Sequence, residues 1–482
     1  MNTNYDVIIA GTGVGGLYTA LNLPEDMNIL IISKRELILC NSSLAQGGVA
    51  AVYMPEDDNI RLHTNDTLIA GGFKNNPDSV NLLVTNAADE MAQLIELGVD
   101  FDRNPDGSLS RTLEGGHCRR RIFHHKDATG YELTTKLQAA VLERKNITVM
   151  ENTQLCRLKK TDGIFAADLL MGDEHITFRC RNFVMATGGI GRIYDYTTNS
   201  AIATGDGIVI AGEAGAQIKN LSYIQFHPTA FADHEKRECF LISESVRGEG
   251  AYLLNCKGER FMHEYDERLE LAPRDVVSHA IIMESRKQES NEFYLDITHK
   301  DPDFIRNRFP MIYSKLLEHG IDMTKDRIPI YPCHHYLMGG INVNINSETS
   351  VKGLYAVGEC SHTGVHGNNR LASNSLLEAL VFGHQAARDI AVKLDRQLPF
   401  GDFEFEHTEN TEKIPAGIRT EVRHIMQKSY FVIPDMHEAV NGFQRISELK
   451  NMLESGNYTV DRDYIEAKAI TGCAYLILKE VI

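Results

Sequence analysis

Residues 5 to 20 read YDVIIAGTGVGGLYTA, a short apolar run set directly against Gly11-x-Gly13-x-x-Gly16 and a helix-like continuation. Strand, glycine turn and helix in this order make a dinucleotide-binding unit. Gly11 permits the tight turn, Gly13 admits backbone N–H groups to a pyrophosphate, and Gly16 lets the helix pack close to the strand. The helix N-terminus then faces the phosphates. The usual fingerprint adds an acidic residue about 20 positions on, at the end of the second strand. Here the second strand, Asn28 to Ile32, runs into Ser33-Lys34-Arg35 with Glu36 a little late. A Ser/Lys pair can still bond a ribose and an adenine-side phosphate, but it weakens a simple NAD assignment.

The chain has 482 residues, room for several domains at roughly 100–200 residues each. Lys and Arg total 49 against 66 Asp and Glu, a formal charge of −17, which argues against a nucleic-acid partner. An anionic substrate must be held by a local basic pocket against that field, so individual arginines matter more than the total. Nine scattered cysteines without a CxxC pair indicate a reducing, cytoplasmic setting. The first strand begins by about residue 5, leaving no room for a signal peptide, and no uncharged apolar run nears the ~18 residues of a spanning helix. No membrane partner is expected.

After the first β-α-β unit comes Asn41-Ser42-Ser43-Leu44-Ala45-Gln46-Gly47-Gly48, a polar loop able to cradle a ring or a phosphate. The spacing of Val80, Leu83, Val84, Ala87, Ala88, Met91, Leu94 and Ile95 predicts an amphipathic helix from Pro77 to Gly98. Residues 147 to 184 read as a small β-meander plus a return strand. That strand ends in Ala186-Thr187-Gly188-Gly189, Gly205-Asp206-Gly207 opens a helix, and Gly353 to Glu359 reads as a further strand, turn and helix. Separated glycine turns at strand ends predict one ligand larger than a mononucleotide, gripped at several points. From about 221 to 335 the chain is more charged and richer in His, Arg and Glu, as in an inserted lid. The acidic linker DFEFEHTENTE then leads into helical patterns over 417–429, 435–455 and 461–481. These predict three helices with a small bundle core, a packing or oligomerisation appendage.

GTGVGG, SLAQGGVAAV, ATGG, TGDG, QFHPT, RGEGAYL, Ala272-Pro273-Arg274-Asp275, HYLMGGI, LYAVGE and NNRLASNSLLEALVFG follow one order over residues 5 to 400. In that order they resemble the fumarate reductase and succinate dehydrogenase flavoprotein superfamily, and with the helical tail most closely its aspartate-oxidising branch. The resemblance implies an α/β fold: a Rossmann-like FAD-binding domain over 1–220 and 336–400, an inserted α+β capping domain over 221–335, and a C-terminal helical bundle over 401–482. It implies FAD, with Gly11, Thr12, Gly13, Val14, Gly15 and Gly16 at the pyrophosphate and Ser33 and Lys34 on the adenosine side. Asn41, Ser42, Ser43, Leu44, Ala45, Gln46, Gly47 and Gly48 line the flavin in this reading, and Asp206, Glu359, Ser375 and Leu376 close the rest. A plain helix N-terminal acid is an alternative account of Glu359. Membrane-complex members carry a flavin-linking histidine in the loop before Ala-Gln-Gly-Gly; that position is Asn41, so non-covalent FAD is expected.

The resemblance also places His227, Ser243, Arg274, His335 and Arg370 around a four-carbon dicarboxylate. Fixed cations at both ends suit such a substrate, and Arg supplies bidentate forks. Glu114, in Arg111-Thr-Leu-Glu114-Gly115-Gly116-His117, is implied to meet an α-ammonium that succinate lacks. The implied reaction is oxidation of L-aspartate to iminoaspartate with oxygen or fumarate as acceptor, feeding quinolinate and NAD synthesis, with functional coupling to a quinolinate synthase. Arg274 is the implied proton donor or acceptor. An arginine of solution pKa above about 12 is an awkward base, so stabilisation of transition-state charge stays open as its role. An isolated Arg274 also has a bland account, capping a helix or pairing with Asp275. Two other readings remain: a soluble fumarate reductase or succinate dehydrogenase-type flavoprotein, and an electron-transfer subunit docked on an iron–sulfur partner. His117, His124, His125, His334 and His335 show no HExxH spacing, so no metal is expected. No GxSxG elbow supports a hydrolase. Members of the aspartate-oxidising branch usually carry a basic segment after the third tail helix, and the sequence through Ile482 shows none.

Overall fold

The strand Asn4–Ala10 sits in the middle of a seven-stranded sheet, parallel to Ile29–Ile32 on one side and Glu174–Met185 on the other. It belongs to a computed structural model that describes residues 2–53, 57–233, 236–407 and 412–482. Residues 408–411 of the acidic linker lie outside the described residues. Tyr5, Ile8 and Ala10 enter one core and Val7 and Ile9 the other, so both faces of the strand are buried. A parallel strand covered on both faces reads as a continuous apolar run rather than an alternation, which is why Val7 to Ala10 carry no polar residue.

The Ile147–Met150 strand pairs in parallel with Ile29–Ile32 and so does not belong to the meander. Spacing along the chain had grouped it with its sequence neighbours. The helix Thr129–Glu143 precedes it, and a helix-bearing crossover is what a parallel partner requires. The meander proper is Thr153–Thr161, Ile164–Met171 and the first half of Glu174–Met185, all antiparallel. The second half of that long strand pairs in parallel with Leu354–Ala356. The parallel strands therefore open their carboxyl ends along one edge, where ligands bind in open α/β sheets.

The helices Val14–Asn22, Pro77–Glu96, Thr129–Glu143 and Asn374–Lys393 bury Leu17, Leu83, Leu137 and Leu380 in the core that takes Val7 and Ile9. Pro77–Glu96 starts on the Asn76 side chain, which accepts from the N–H groups of Asp78 and Ser79, with proline in its first turn. A separate antiparallel sheet takes Ile224–Phe231, Ile328–Leu337, Phe293–Asp296 and Tyr252–Leu254 in that order. With the helix Arg274–Gln288 it encloses its own core, including Val277, Ile281, Phe293, Leu295 and Ile328.

The tail forms the helices Ile418–Ser429, Met436–Ser455 and Arg462–Val481, the last two capped by Asp435 and Asp461. They pack on one another as a three-helix unit, as expected, and the core of that unit is continuous with the main one. Val422, Met426, Ile446, Ile470, Cys473 and Ile477 join the same cluster as Ile8, Leu30 and Phe183 of the main sheet. Small residues make the fit: a Cβ on Gly205 would lie 2.5 Å from Cys473 Sγ, and one on Gly472 3.0 Å from Val209. Helical periodicity identifies an apolar face but not all that covers it: the three-helix unit expected from sequence also walls the main core. Among the described residues no helix is long and apolar enough to cross a membrane.

Ile470 is fully buried in this shared core. Ile470→Ala is expected to cost about 2–5 kcal/mol and to move loss of helical signal and loss of bound flavin to lower denaturant together. A shift in the first alone would show that the tail folds independently.

Candidate active site

A cavity of about 620 Å³ opens at the carboxyl edge of the parallel strands. Its glycine walls are set by close packing. Gly11 has φ +121°, and a Cβ on it would lie 2.0 Å from the Ala186 carbonyl oxygen. A Cβ on Gly16 would lie 2.2 Å from the Gly11 oxygen, so the helix Val14–Asn22 reaches the strand only with glycine there. Gly11, Thr12, Gly13 and Gly15 line the cavity. Val14 and Gly16 are not among its lining residues: the Val14 side chain is buried in the core, and its N–H donates to Ser42 Oγ at 3.1 Å.

All the residues from Asn41 to Gly48 line the cavity, as do Ser33, Lys34, Asp206, Glu359, Ser375 and Leu376. Thr12 Oγ1 lies 3.1 Å from Ser33 Oγ. Lys34 is not a free cation: its Nζ lies 2.7 Å from Thr204 Oγ1 and Asp206 Oδ2 and 3.0 Å from Glu466 Oε1, the last reaching in from the tail. Asn41 Oδ1 accepts from the Ser200 N–H at 3.0 Å. Gly48 donates its N–H to Ser373 Oγ at 3.1 Å. Ser373 precedes the helix Asn374–Lys393 in a left-handed conformation, φ +60°, that non-glycine residues seldom adopt. Ser373 gives this helix no side-chain cap, and at Val14–Asn22 the Val14 N–H is taken by Ser42 rather than by the N-cap residue; both helix N-termini adjoin the cavity.

Glu359 lies in a single 3-10 turn, Gly358–Cys360, rather than at the head of a longer helix, so a helix dipole does not account for it. Burial pushes its carboxyl up to about 7, and the Leu337 N–H donates to its Oε1 at 3.1 Å. Gln46 Oε1, Thr187 Oγ1 and Asn199 Oδ1, on cavity-lining residues, are buried without a partner. Buried polar atoms are normally paired. Open acceptors, two helix N-termini and glycine walls suit a large, flat, polar ligand bearing a pyrophosphate, as FAD does.

Beyond the Asn41–Gly48 loop the same cavity is lined by Glu114, His227, Ser243, Arg274, His335 and Arg370. Arg274 opens the helix Arg274–Gln288 but pairs with Glu244 rather than with Asp275: its Nε donates to Glu244 Oε2 at 2.5 Å and its Nη1 to Gln225 Oε1 at 3.0 Å. Asp275 instead accepts from Asn369 Nδ2 at 2.8 Å. Arg370 donates to the same Gln225 oxygen from Nε at 3.3 Å and Nη2 at 3.2 Å, and its guanidinium lies 4.2 Å from the Tyr336 ring centre. Burial, then Arg274, lowers its pKa to about 10, which leaves it charged at neutral pH.

His227 and His335, with ring centres 5.0 Å apart, are held well below the usual histidine range, first by burial and then by Arg274. The Thr229 N–H donates to His227 Nδ1 at 3.2 Å, so the ring proton sits on Nε2, which is buried without a partner. His335 Nδ1 shares a 2.7 Å hydrogen bond with Thr198 Oγ1. Ser243 Oγ accepts from the Ser245 N–H at 3.2 Å and its hydroxyl at 2.8 Å, leaving its own proton to donate.

The two buried carboxylates here differ. Glu244 sits between Arg274 and Arg247, whose Nη2 is 3.1 Å away; burial alone would raise its pKa, but Arg247 and then Arg274 hold it below the usual range. Glu114 has the Ser373 hydroxyl at 2.6 Å and, among the described residues, no ion-pair partner; burial and then Glu244 raise its pKa. Gln225, Glu244, Arg247, Ser373 and Glu466 were absent from the sequence-based candidates. Gln225 heads QFHPT, and Glu244 follows Ser243 and lies three residues before Arg247, so both carried a usable signal. Glu466 had none, because its role depends on how the tail packs.

The sequence profile of the FAD binding domain family matches residues 6–376. The L-aspartate oxidase of Clostridium perfringens is 47% identical over 392 residues, covering 81% of this chain and 87% of that protein. The L-aspartate oxidase of Acinetobacter baylyi is 39% identical over 495 residues, 99% of this chain and 90% of the relative. Among solved structures, a chain of E. coli quinol fumarate reductase superposes with a TM-score of 0.90 at 28% identity, covering 99% of this chain and 89% of that one. Relatives of that identity span nearly the whole chain, cavity and tail included, and the chain therefore belongs to the L-aspartate oxidase family of FAD-binding flavoproteins.

Proposed function

We propose that the chain oxidises L-aspartate to iminoaspartate, with oxygen or fumarate as terminal acceptor, and that residues 221–335 act as the cap over this site. The observation that carries this reading is Glu114: a buried carboxylate with no ion-pair partner among the described residues, beside Glu244, which has two arginines. A dicarboxylate alone fits the arginines but leaves Glu114 uncompensated, whereas an α-ammonium supplies the missing charge. One substrate carboxylate is held by Arg370 and His335 and the other by the His227 Nε2–H and the Ser243 hydroxyl, both open donors.

FAD bound along Gly11–Gly15 and Asn41–Gly48 supplies the two-electron acceptor. The chain's own residues exclude water, fix the substrate and manage charge. Arg274, locked on Glu244 and Gln225, fixes positive charge beside the reacting carbon, and the Glu244–Arg247 pair behind it balances that charge. Asn41 stands where a flavin-linking histidine would, in support of non-covalent binding. The free thiols of all nine cysteines fit a reducing cytoplasm. The instability of an imine product favours its prompt consumption by a further enzyme, which the family resemblance implies is a quinolinate synthase. The overall likeness to fumarate reductase keeps a dicarboxylate reductase as the second reading.

Anaerobic L-aspartate should bleach the visible flavin band while succinate leaves it; bleaching by succinate alone would overturn the assignment. Arg274→Leu should lower turnover by at least about three orders of magnitude with flavin content unchanged, and preserved turnover would remove Arg274 from the reaction. Glu114→Gln should lower kcat/KM for aspartate by roughly 100-fold, the loss of one buried charge pair of about 3 kcal/mol, while sparing fumarate reduction. Equal losses with both substrates would mean that Glu114 does not recognise the amine.

A further inference from the structure

A serine directly before a helix normally turns its oxygen onto the N–H groups of the first turn, from an extended backbone. Ser373 does neither: it gives the helix Asn374–Lys393 no side-chain cap, and its φ is +60°. Glycine would meet that backbone demand with less strain, so the side chain is kept for another contact. The Ser373 Oγ accepts from the Gly48 N–H at 3.1 Å and lies 2.6 Å from Glu114 Oε2. A backbone N–H can only donate and an ionised carboxylate only accept, so the single hydroxyl proton goes to Glu114.

The strained backbone is pinned on both sides by buried polar groups. Arg121 is fully buried between Asp58, at 2.7 Å, and Asp66, at 2.5 Å, and its Nη1 donates to His117 Nδ1 at 2.9 Å. The His117 ring proton is therefore on Nε2, which donates to the Ala372 carbonyl at 2.9 Å. On the other side His63 Nε2 faces Asn374 Oδ1 at 2.9 Å, while Asn374 Nδ2 donates to Thr67 Oγ1 at 3.0 Å. The Ser373 carbonyl accepts from the Ala50 N–H at 3.0 Å. Residues 372, 373 and 374 are each tied down, and a left-handed non-glycine residue persists where its surroundings over-determine it.

Resting on the reading of Glu114 as the partner of the substrate amine, we propose that Ser373 is the positioning residue for that carboxylate. Its hydroxyl, aimed by Gly48, fixes Glu114 in the orientation and charge that meet the α-ammonium of an amino dicarboxylate. Among the described residues this hydroxyl is the one group hydrogen-bonded to the Glu114 carboxylate. Burial and then Glu244 push Glu114 toward its protonated form, and the Ser373 hydroxyl, Arg274 and Arg308 oppose them, with Arg247 also facing it. Those arginines have carboxylates of their own, Glu244 for Arg247 and Arg274 and Glu249 for Arg308. A donor on the charged form favours that form. The contact also leans on the Asn41–Gly48 loop, since a Cβ on Gly47 would lie 2.9 Å from Glu114 Oε1 and 3.2 Å from Ser373 Oγ.

Ser373→Gly removes the hydroxyl and suits the left-handed backbone, so it tests the contact without unfolding the helix start. In holoenzyme, the infrared carbonyl band of protonated Glu114, assigned by its loss in Glu114→Gln, should titrate about one pH unit higher in Ser373→Gly than in wild type. Aspartate recognition needs the ionised carboxylate, so kcat/KM falls as pH drops through the Glu114 titration. In the variant that acid limb should move up by the same amount, a loss of about tenfold below it, carried by KM rather than kcat. Ser373→Ala should shift both readouts equally; a shift in Ala alone would assign the effect to backbone strain and overturn the proposal. A band that stays in place in both variants would overturn it too, leaving the reading of Glu114 untouched. A band that moves while the acid limb stays would overturn the recognition of the amine by Glu114, and the role of Ser373 with it.

Discussion

Three stretches far apart in the chain end side by side at one edge of the main sheet, and their close approach leaves no room for a side chain at the junction. The Ala186 carbonyl occupies the space a Cβ on Gly11 would need, and the Gly11 carbonyl occupies the space a Cβ on Gly16 would need. At Gly189 the neighbour is a side chain: a Cβ would lie 2.1 Å from Oε1 of Glu359, on the turn after Leu354–Ala356. Because parallel strands share a direction, their carboxyl ends and the turns that follow converge, and a ligand spanning those turns touches residues from Gly11 to Leu376 at once.

At the substrate end the governing term is the cost of burying charge. An isolated buried ion is expensive unless paired. Glu244 meets that cost with Arg247 and Arg274, and one Gln225 oxygen bridges Arg274 and Arg370 without neutralising either. The two histidines are held well below the usual histidine range by burial and then by Arg274, so they add no further positive charge. What remains is a cluster of positive charge and, among the described residues, one carboxylate, Glu114, without an ion-pair partner, the pattern on which the proposed recognition of an amino dicarboxylate rests. Charge placement of this kind discriminates an amino dicarboxylate from a plain one more sharply than shape does, because the two differ by one charged group.

The tail contributes by packing and by charge. Its helices complete the core on one face of the sheet, and Glu466 joins Asp206 on Lys34 at the cavity wall. A segment that resembles an accessory in the sequence is thereby coupled to the ligand cavity, through the helix Asp206–Glu213 on which Arg462–Val481 rests.

Sequence alone determined the local units. The Gly11–Gly16 turn, the helix Pro77–Glu96 and the three tail helices are written in spacing, capping residues and glycines, because hydrogen bonding and amphipathic periodicity act over a few residues. The family motifs also brought Glu114, His227, Ser243, Arg274, His335 and Arg370 into view as one set. Only the tertiary structure decided their partners: Arg274 with Glu244 rather than Asp275, Lys34 with a tail glutamate, Ile147–Met150 with Ile29–Ile32, and the tail with the main core. These are contacts between residues 30 to more than 400 positions apart. Their energies depend on burial and on which charge lies opposite, and neither quantity exists until the chain has folded.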